Sequence, residues 1–280
     1  MTINHSLKQL IRARMRVTGE TYTQARRNSM QSYNPTNIPL LDNLLSPNEH
    51  TIFNKENGMQ GYGLHLVLGG SGSGRTTTMN SLVDYYMRRN HNARLVSIAM
   101  KQEIKLSADF FQVNIDPFDT SYPDTEGRHF LFHPALRMRP DYISYHEIRD
   151  EVDVRESLYA GLSGHTVFST LHAPNEEYAI SKMKNMISRD EKERQVTSVY
   201  FRECLKSLTT MNIVKVGNHR LRFATSIPIT KESWDATSKG QLTNWCTANG
   251  YESSTMKIER LLKEKVLEYG PHGLQAVIER

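Results

Sequence analysis

The chain has 280 residues, of which 38% are hydrophobic and 23% charged, with a formal net charge of +5. These proportions are ordinary for a globular protein and suffice for one large α/β domain, or a core with a small appendage. No apolar run approaches the roughly 20 residues of a membrane span, and MTINHSLKQLIRARMRVTG holds no apolar segment with a small-residue cleavage site, so no signal peptide is expected.

The positive charge gathers at the amino end. Residues 1–30 carry Lys8, Arg12, Arg14, Arg16, Arg26 and Arg27 against the single acid Glu20, an excess equal to the net charge of the whole chain. The segment reads as two short helices broken near Thr18-Gly19, with Leu7, Leu10, Ile11 and Met15 on one face of the first. A basic amphipathic piece suits nucleic acid, anionic lipid or an acidic partner, and equally a solvated face docked on its own domain. Residues 31–63, rich in Asn, Pro and Gly, read as a lead-in. The stretch 64-LHLVL-68 is a short apolar strand, the glycine-rich 69-GGSGSGRTTTMN-80 follows, and Met79, Leu82, Val83, Tyr86 and Met87 then recur at the helical period. A second strand is expected at 94-RLVSIA-99.

Strand, glycine loop, helix and strand in that order form the βαβ context a phosphate-binding loop requires. Gly69, Gly72 and Gly74 let the backbone curl so that consecutive N–H groups face phosphate oxygens, and the helix starting near Arg75 adds its positive dipole end. Thr76 offers a hydroxyl to a Mg²⁺ ion bridging terminal phosphates. Arg75 occupies the position where such loops carry lysine. Guanidinium is longer, planar and forked, where ammonium is a compact point charge, so phosphate binding is expected to survive the exchange better than turnover.

Two later stretches complete the pattern. In 136-LRMRPDYISYHEIRD-150 a strand over 142-YISYH-146 ends at Glu147, a carboxylate placed to polarise an attacking water or order a metal's waters. In 161-GLSGHTVFSTLHAPN-175 a strand from Val167 to Ser169 runs into a loop with His172, which can contact a terminal phosphate. Further on, MKIERLLKEKVLEY (256–269) places Ile258, Leu261, Leu262 and Val266 on one face of a helix ended by Gly270-Pro271. Cys204 and Cys246 have no metal or redox spacing and read as reduced thiols of a cytoplasmic protein. Trp234, Trp245 and the tyrosines show no interleaving with basic residues that would mark a stacking platform for single strands.

Three ordered motifs carry a resemblance. The loop 69-GGSGSGRTTT-78 is similar to G-P-T-G-S-G-K-[ST]-T-T, 136-LRMRPDYISYHEIRD-150 to L-R-x-D-P-D-x-I-x-x-G-E-I-R-D, and 162-LSGHTVFSTLHAPN-175 to L-T-G-H-x-V-x-S-T-L-H-x-x. These are the boxes of the secretion ATPases of type II secretion, type IV pili and type IV secretion, the group that includes pilus retraction and conjugation ATPases. The likeness covers roughly 38–230. It implies an α/β fold with a RecA-like P-loop NTPase core, a mostly parallel sheet flanked by helices over 36–230, preceded by the basic helical segment 1–35 and followed by a helical region, 231–280. It also implies a hexamer, cytoplasmic or peripheral at the inner membrane, that binds ATP and Mg²⁺ between subunits and works with inner-membrane components of a secretion, pilus or conjugation apparatus. Carried over residue by residue, Gly69, Gly72, Ser73, Gly74, Arg75, Thr76 and Thr77 hold the nucleotide, Thr76 and Glu147 the metal, and Glu147 and His172 the chemistry.

The departures matter as much. Beyond Arg75, the family's acidic box falls on 97-SIAMKQE-103, where two acids become Ala99 and Met100 and only Glu103 remains. Arg139 replaces the first aspartate of D-P-D, His146 the glycine before the catalytic acid, and Thr209-Thr210-Met211 the expected Q-R-L. The large domain that usually precedes the motor core is not seen ahead of the loop. Lost acids slow chemistry more than binding. Three readings therefore stay open: an ATP-driven motor subunit, a nucleotide-binding assembly or regulatory subunit that hydrolyses little, and a plasmid- or phage-borne DNA-associated P-loop protein using its basic end.

Overall fold

The computed structural model describes residues 5–30, 41, 45, 51–53, 61–90, 92–99, 111–115, 134–187, 191–271 and 273–277. Met100 and Glu103 of the acidic box lie outside them. Strand β1 (Gly63–Gly69) is buried along its whole length, as an apolar strand covered on both faces must be. Its side chains alternate between two helical layers. Leu64, Leu66 and Leu68 join one core, with Val154, Leu158, Ile180, Met183 and Phe201. Val67 joins another, with Leu82, Val83 and Met87 of α3 (Arg75–Arg89).

The remaining strands of the parallel part are β2 (Arg94–Ile98), β3 (Phe111–Ile115), β4 (Tyr142–Ile148), β5 (Thr166–His172) and β6 (Leu205–Val216), in spatial order β3-β2-β4-β5-β1-β6. All five pairings among them are parallel. Helices α4 (Glu151–Leu162), α5 (Glu176–Ile187) and α6 (Glu191–Cys204) supply the crossovers on the Leu64 side. Asp150 starts α4 through a capping box with Asp153, which fixes the turn immediately after β4. This is the mostly parallel, helix-flanked sheet expected from the sequence. Its β1, β4 and β5 end at one edge, with Gly69 opposite His172 and Leu171 opposite Ile148, the edge where open α/β sheets bind ligands.

Strand β6 outruns β1. Its last pair with β1 is Leu68↔Thr210, but its antiparallel partner β7 (His219–Pro228) follows it through Val216↔His219. The projecting ribbon stands beside the glycine loop. Its flank is covered by α1 (His5–Thr18), α9 (Ser254–Lys263) and the hairpin β8 (Leu267–Gly270)–β9 (Gly273–Ala276). There Leu10, Ala13 and Val17 pack with Val214, Leu221, Phe223, Leu261 and Leu267. The basic amino-terminal helix is thus docked on its own chain, and Arg16 donates to the carbonyls of Val277 and Lys265. Its buried face runs through Ala13 and Val17, with Leu7 and Met15 at the margin. The break falls after Thr18, and α2 (Tyr22–Met30) follows.

One boundary differs from expectation. The helix foreseen over 256–269 stops at Lys263, and Leu267–Gly270 is a strand. Lys265 takes a left-handed φ of 54° that reverses the chain, and Leu267 is then buried against the ribbon, a tertiary gain that overrides helical periodicity. Between β7 and α9 lie α7 (Lys231–Ser238) and α8 (Leu242–Asn249). Trp234 is buried and stacked on Phe201 at 5.7 Å, a core role.

Candidate functional site

The loop between β1 and α3 is built on backbone conformations that side chains oppose. Gly69 has φ 148° and Gly74 φ 100°. A Cβ on Gly69 would collide with the Ser73 side chain and stand 2.9 Å from the Met211 carbonyl, and one on Gly74 would lie 3.3 Å from Arg222 Cδ. The Ser73 N–H donates to the Gly70 carbonyl at 3.2 Å, and the Thr78 N–H to the Gly74 carbonyl at 2.9 Å. The N–H groups of Arg75, Thr76 and Thr77 form the open first turn of α3, where the helix dipole favours an anion. The Ser73 hydroxyl is buried without a hydrogen-bond partner among the described residues, and the Thr76 and Thr77 side chains are half-buried. Glycine backbone that admits close approach, an open helix turn and an orphaned hydroxyl fit a polyphosphate.

Glu147 closes the site from β4. Its carboxylate accepts from Arg75 Nη1 at 3.3 Å through one oxygen and from Arg149 Nε at 3.0 Å through the other. Burial works against its charge, but the Arg149 hydrogen bond and the Arg75 and Arg149 charges outweigh it and hold the carboxyl below its usual range. Glu147 is therefore an anion at neutral pH. Sequence reading gave Arg75 and Glu147 separate roles; folding pairs them, because the guanidinium is long enough to cross from the start of α3 to the end of β4.

His172 ends β5, exposed and level with Gly69, and its carbonyl accepts from Lys182 Nζ at 2.9 Å. His165, the other histidine of that box, belongs to the opposite end of β5. Its Nδ1 lies 3.2 Å from the Ala160 carbonyl, so it finishes α4 and stays out of the site. Asp150 is likewise the cap of α4, and Arg139 sits exposed at a left-handed φ of 50°.

The model of the type II/IV secretion system protein family matches residues 28–262. The chain belongs to that family. It is 29% identical over 160 residues to the type IV pilus retractation ATPase PilT of Pseudomonas aeruginosa, covering 57% of this chain and 45% of PilT. It is 36% identical over 112 residues to competence protein ComGA of Streptococcus pneumoniae, covering 40% and 33%. Less than half of either relative's length is spanned. Among solved structures, the pilus retraction motor PilT with bound ADP superposes with a TM-score of 0.67 at 21% identity, over 83% of this chain and 65% of that one. The fold is therefore that of the RecA-like secretion ATPases.

Two residues of this family member, Arg222 and Glu176, escaped sequence reading, and a third, Met211, showed there only as a departure from the family pattern. Arg222 on β7 donates from Nε and Nη2 to the Gly72 carbonyl, each at 3.2 Å. Glu176, at the start of α5, is fully buried and accepts from Thr210 Oγ1 at 2.9 Å and from the Ser254 N–H at 3.1 Å. Burial raises its pKa. Met211 supplies the carbonyl and side chain that wall Gly69, and its sulfur accepts from Thr78 Oγ1 at 3.2 Å. Thr210-Met211, where the family pattern has another signature, thus brace the loop and tie the segment after His172 to α9. Their only sequence signal was the departure itself.

Proposed function

We propose that the chain is an ATPase subunit that binds Mg-ATP on Gly69–Thr77 and hydrolyses it to power a secretion, type IV pilus or conjugation apparatus. The observation that carries this reading is the convergence of an ionised Glu147 and His172 on a glycine loop at one edge of the parallel sheet. The N–H groups of Arg75, Thr76 and Thr77 bind the phosphates. Glu147 accepts a hydrogen bond from the attacking water and orients it toward the terminal phosphorus. Arg75 exchanges Glu147 for the terminal phosphate as charge develops there, and His172 contacts the same group. Mg²⁺, which Thr76 and Glu147 would hold, supplies neutralising charge on the phosphates when bound.

A second reading is favoured by one contact. The Arg75–Glu147 ion pair engages both residues with each other, as in a subunit that keeps nucleotide as an assembly or regulatory ligand. Phosphate release from Mg-ATP, compared between wild type and Glu147→Gln, separates the two. Activity lost in the variant supports the motor; equal background in both, with nucleotide still bound, supports the regulatory subunit.

Family resemblance further supports a hexamer working with inner-membrane components. The exposed Lys8, Arg12, Arg26 and Arg27 support an anionic partner, nucleic acid or membrane, for the amino-terminal helices. Charge reversal at Lys8 and Arg12 tests this better than deletion, because α1 is part of a shared core.

A further inference from the structure

The Gly72–Ser73 peptide lies within the glycine loop. Its N–H points into the loop, donating to the Gly70 carbonyl at 3.2 Å. In a trans peptide the carbonyl faces the opposite way, and here it leaves the loop toward β7, where Arg222 donates to it from two nitrogens at 3.2 Å. Gly72 has φ 71°, and even a Cβ added there would meet nothing within 4 Å, so it offers no steric resistance to rotating this peptide. A flip would bring the carbonyl oxygen inward, against the phosphates, and break the Ser73 bond.

We propose that Arg222 is a positioning residue that locks this peptide and so pre-organises the loop for a nucleoside di- or triphosphate; the inference rests on the nucleotide-binding reading above. Its reach comes from the β6–β7 ribbon outrunning β1: Arg222 pairs with Ile213, three residues beyond Thr210, the last β6 partner of β1. Among the described residues no carboxylate pairs with Arg222, so the guanidinium also leaves net positive charge beside the loop. Pre-organisation raises affinity by removing an ordering cost from binding. Arg222 is engaged with the Gly72 carbonyl, whereas Arg75 is occupied with Glu147.

The test is equilibrium titration of the full chain with a fluorescent ADP analogue, with pyrophosphate as a loop-only competitor. Wild type, Arg222→Ala, Arg222→Lys and Arg220→Ala are compared, with hydrogen exchange over residues 70–74. Loss of an exposed charge-assisted hydrogen bond predicts about fivefold weaker ADP and pyrophosphate binding in Arg222→Ala, with faster exchange at Ser73. Arg222→Lys, able to donate to the same carbonyl, should recover most of the affinity. Arg220→Ala removes the same charge from the same strand and should bind like wild type. Should Arg222→Ala fail to fold, judged by its melting curve, Arg222→Gln carries the comparison. ADP binding in Arg222→Ala equal to wild type, or an equal loss in Arg220→Ala, overturns the positioning role alone. A wild type that binds neither ADP nor pyrophosphate overturns both this inference and the nucleotide-binding reading.

Discussion

Replacing Glu147 with glutamine is expected to tighten the binding of metal-free ADP while removing turnover. In the folded chain Arg75 Nη1 lies 3.3 Å from the Glu147 carboxylate, with side-chain exposures of 15% and 23%. Phosphate must compete with that carboxylate for the guanidinium. An exposed ion pair contributes about 0.5 kcal/mol, and a hydrogen bond to a charged group about 1.5 to 3 kcal/mol. The partial burial of this pair puts it between, near 1 kcal/mol, or about fivefold in affinity. Removing the negative charge also lessens its repulsion of the phosphates, in the same direction. Calorimetric titration with ADP in the presence of a chelator isolates this from any loss of metal binding, and the gain should shrink as salt rises. Arg75→Ala should reduce the difference between glutamate and glutamine at 147 to the part that comes from repulsion of the phosphates. An affinity that falls on Glu147→Gln, or a gain that survives undiminished in the Arg75→Ala background, would refute competition between carboxylate and phosphate for Arg75.

Three further outcomes follow from packing and burial. Gly69→Ala forces a Cβ against Ser73 and to 2.9 Å from the Met211 carbonyl at a left-handed φ, so it should cost upwards of about 2 kcal/mol and abolish nucleotide binding, read by urea melts and titration. Val17→Asp places a charge in the core shared by α1, β7 and the β8–β9 hairpin; a loss of about 3 kcal/mol or more is expected, and an unchanged melting temperature would mean α1 is not docked. His65 is buried in β1 with Nδ1 2.8 Å from Ser207 Oγ, and burial, helped by Lys206, lowers its pKa to about 3. The unfolded chain then binds a proton the folded one refuses below about pH 6.5. The contribution of His65 is complete above that pH and declines by about 1.4 kcal/mol per unit as pH falls toward 3. Wild type should show this slope against His65→Asn in urea unfolding at successive pH values.

Much of the fold was legible because its signals are local. Apolar runs bounded by glycine marked β1, the stretches 142–146 and 167–169 read as strands in order after the loop, and periodic Met79, Leu82, Val83 and Tyr86 marked α3. The helix boundary at Lys263 was not legible: 264–269 continues the apolar period, and only contact with β9 and α1 converts it to strand. The resemblance brought Gly69–Thr77, Glu147 and His172 together, and parallel pairing of β1, β4 and β5 is what puts their ends on one edge.

By itself, the sequence determined the chemical identities at the loop: glycines where positive φ is needed, an arginine in place of lysine, and a carboxylate near the end of the fourth strand. Tertiary structure alone decided which charge meets which. Arg75 meets Glu147 because strand order sets the width of the gap between α3 and β4. Arg222, 150 residues from Gly72, reaches the loop because β6 extends past β1. Such contacts depend on register and strand order, distances between segments that no local pattern of residues encodes.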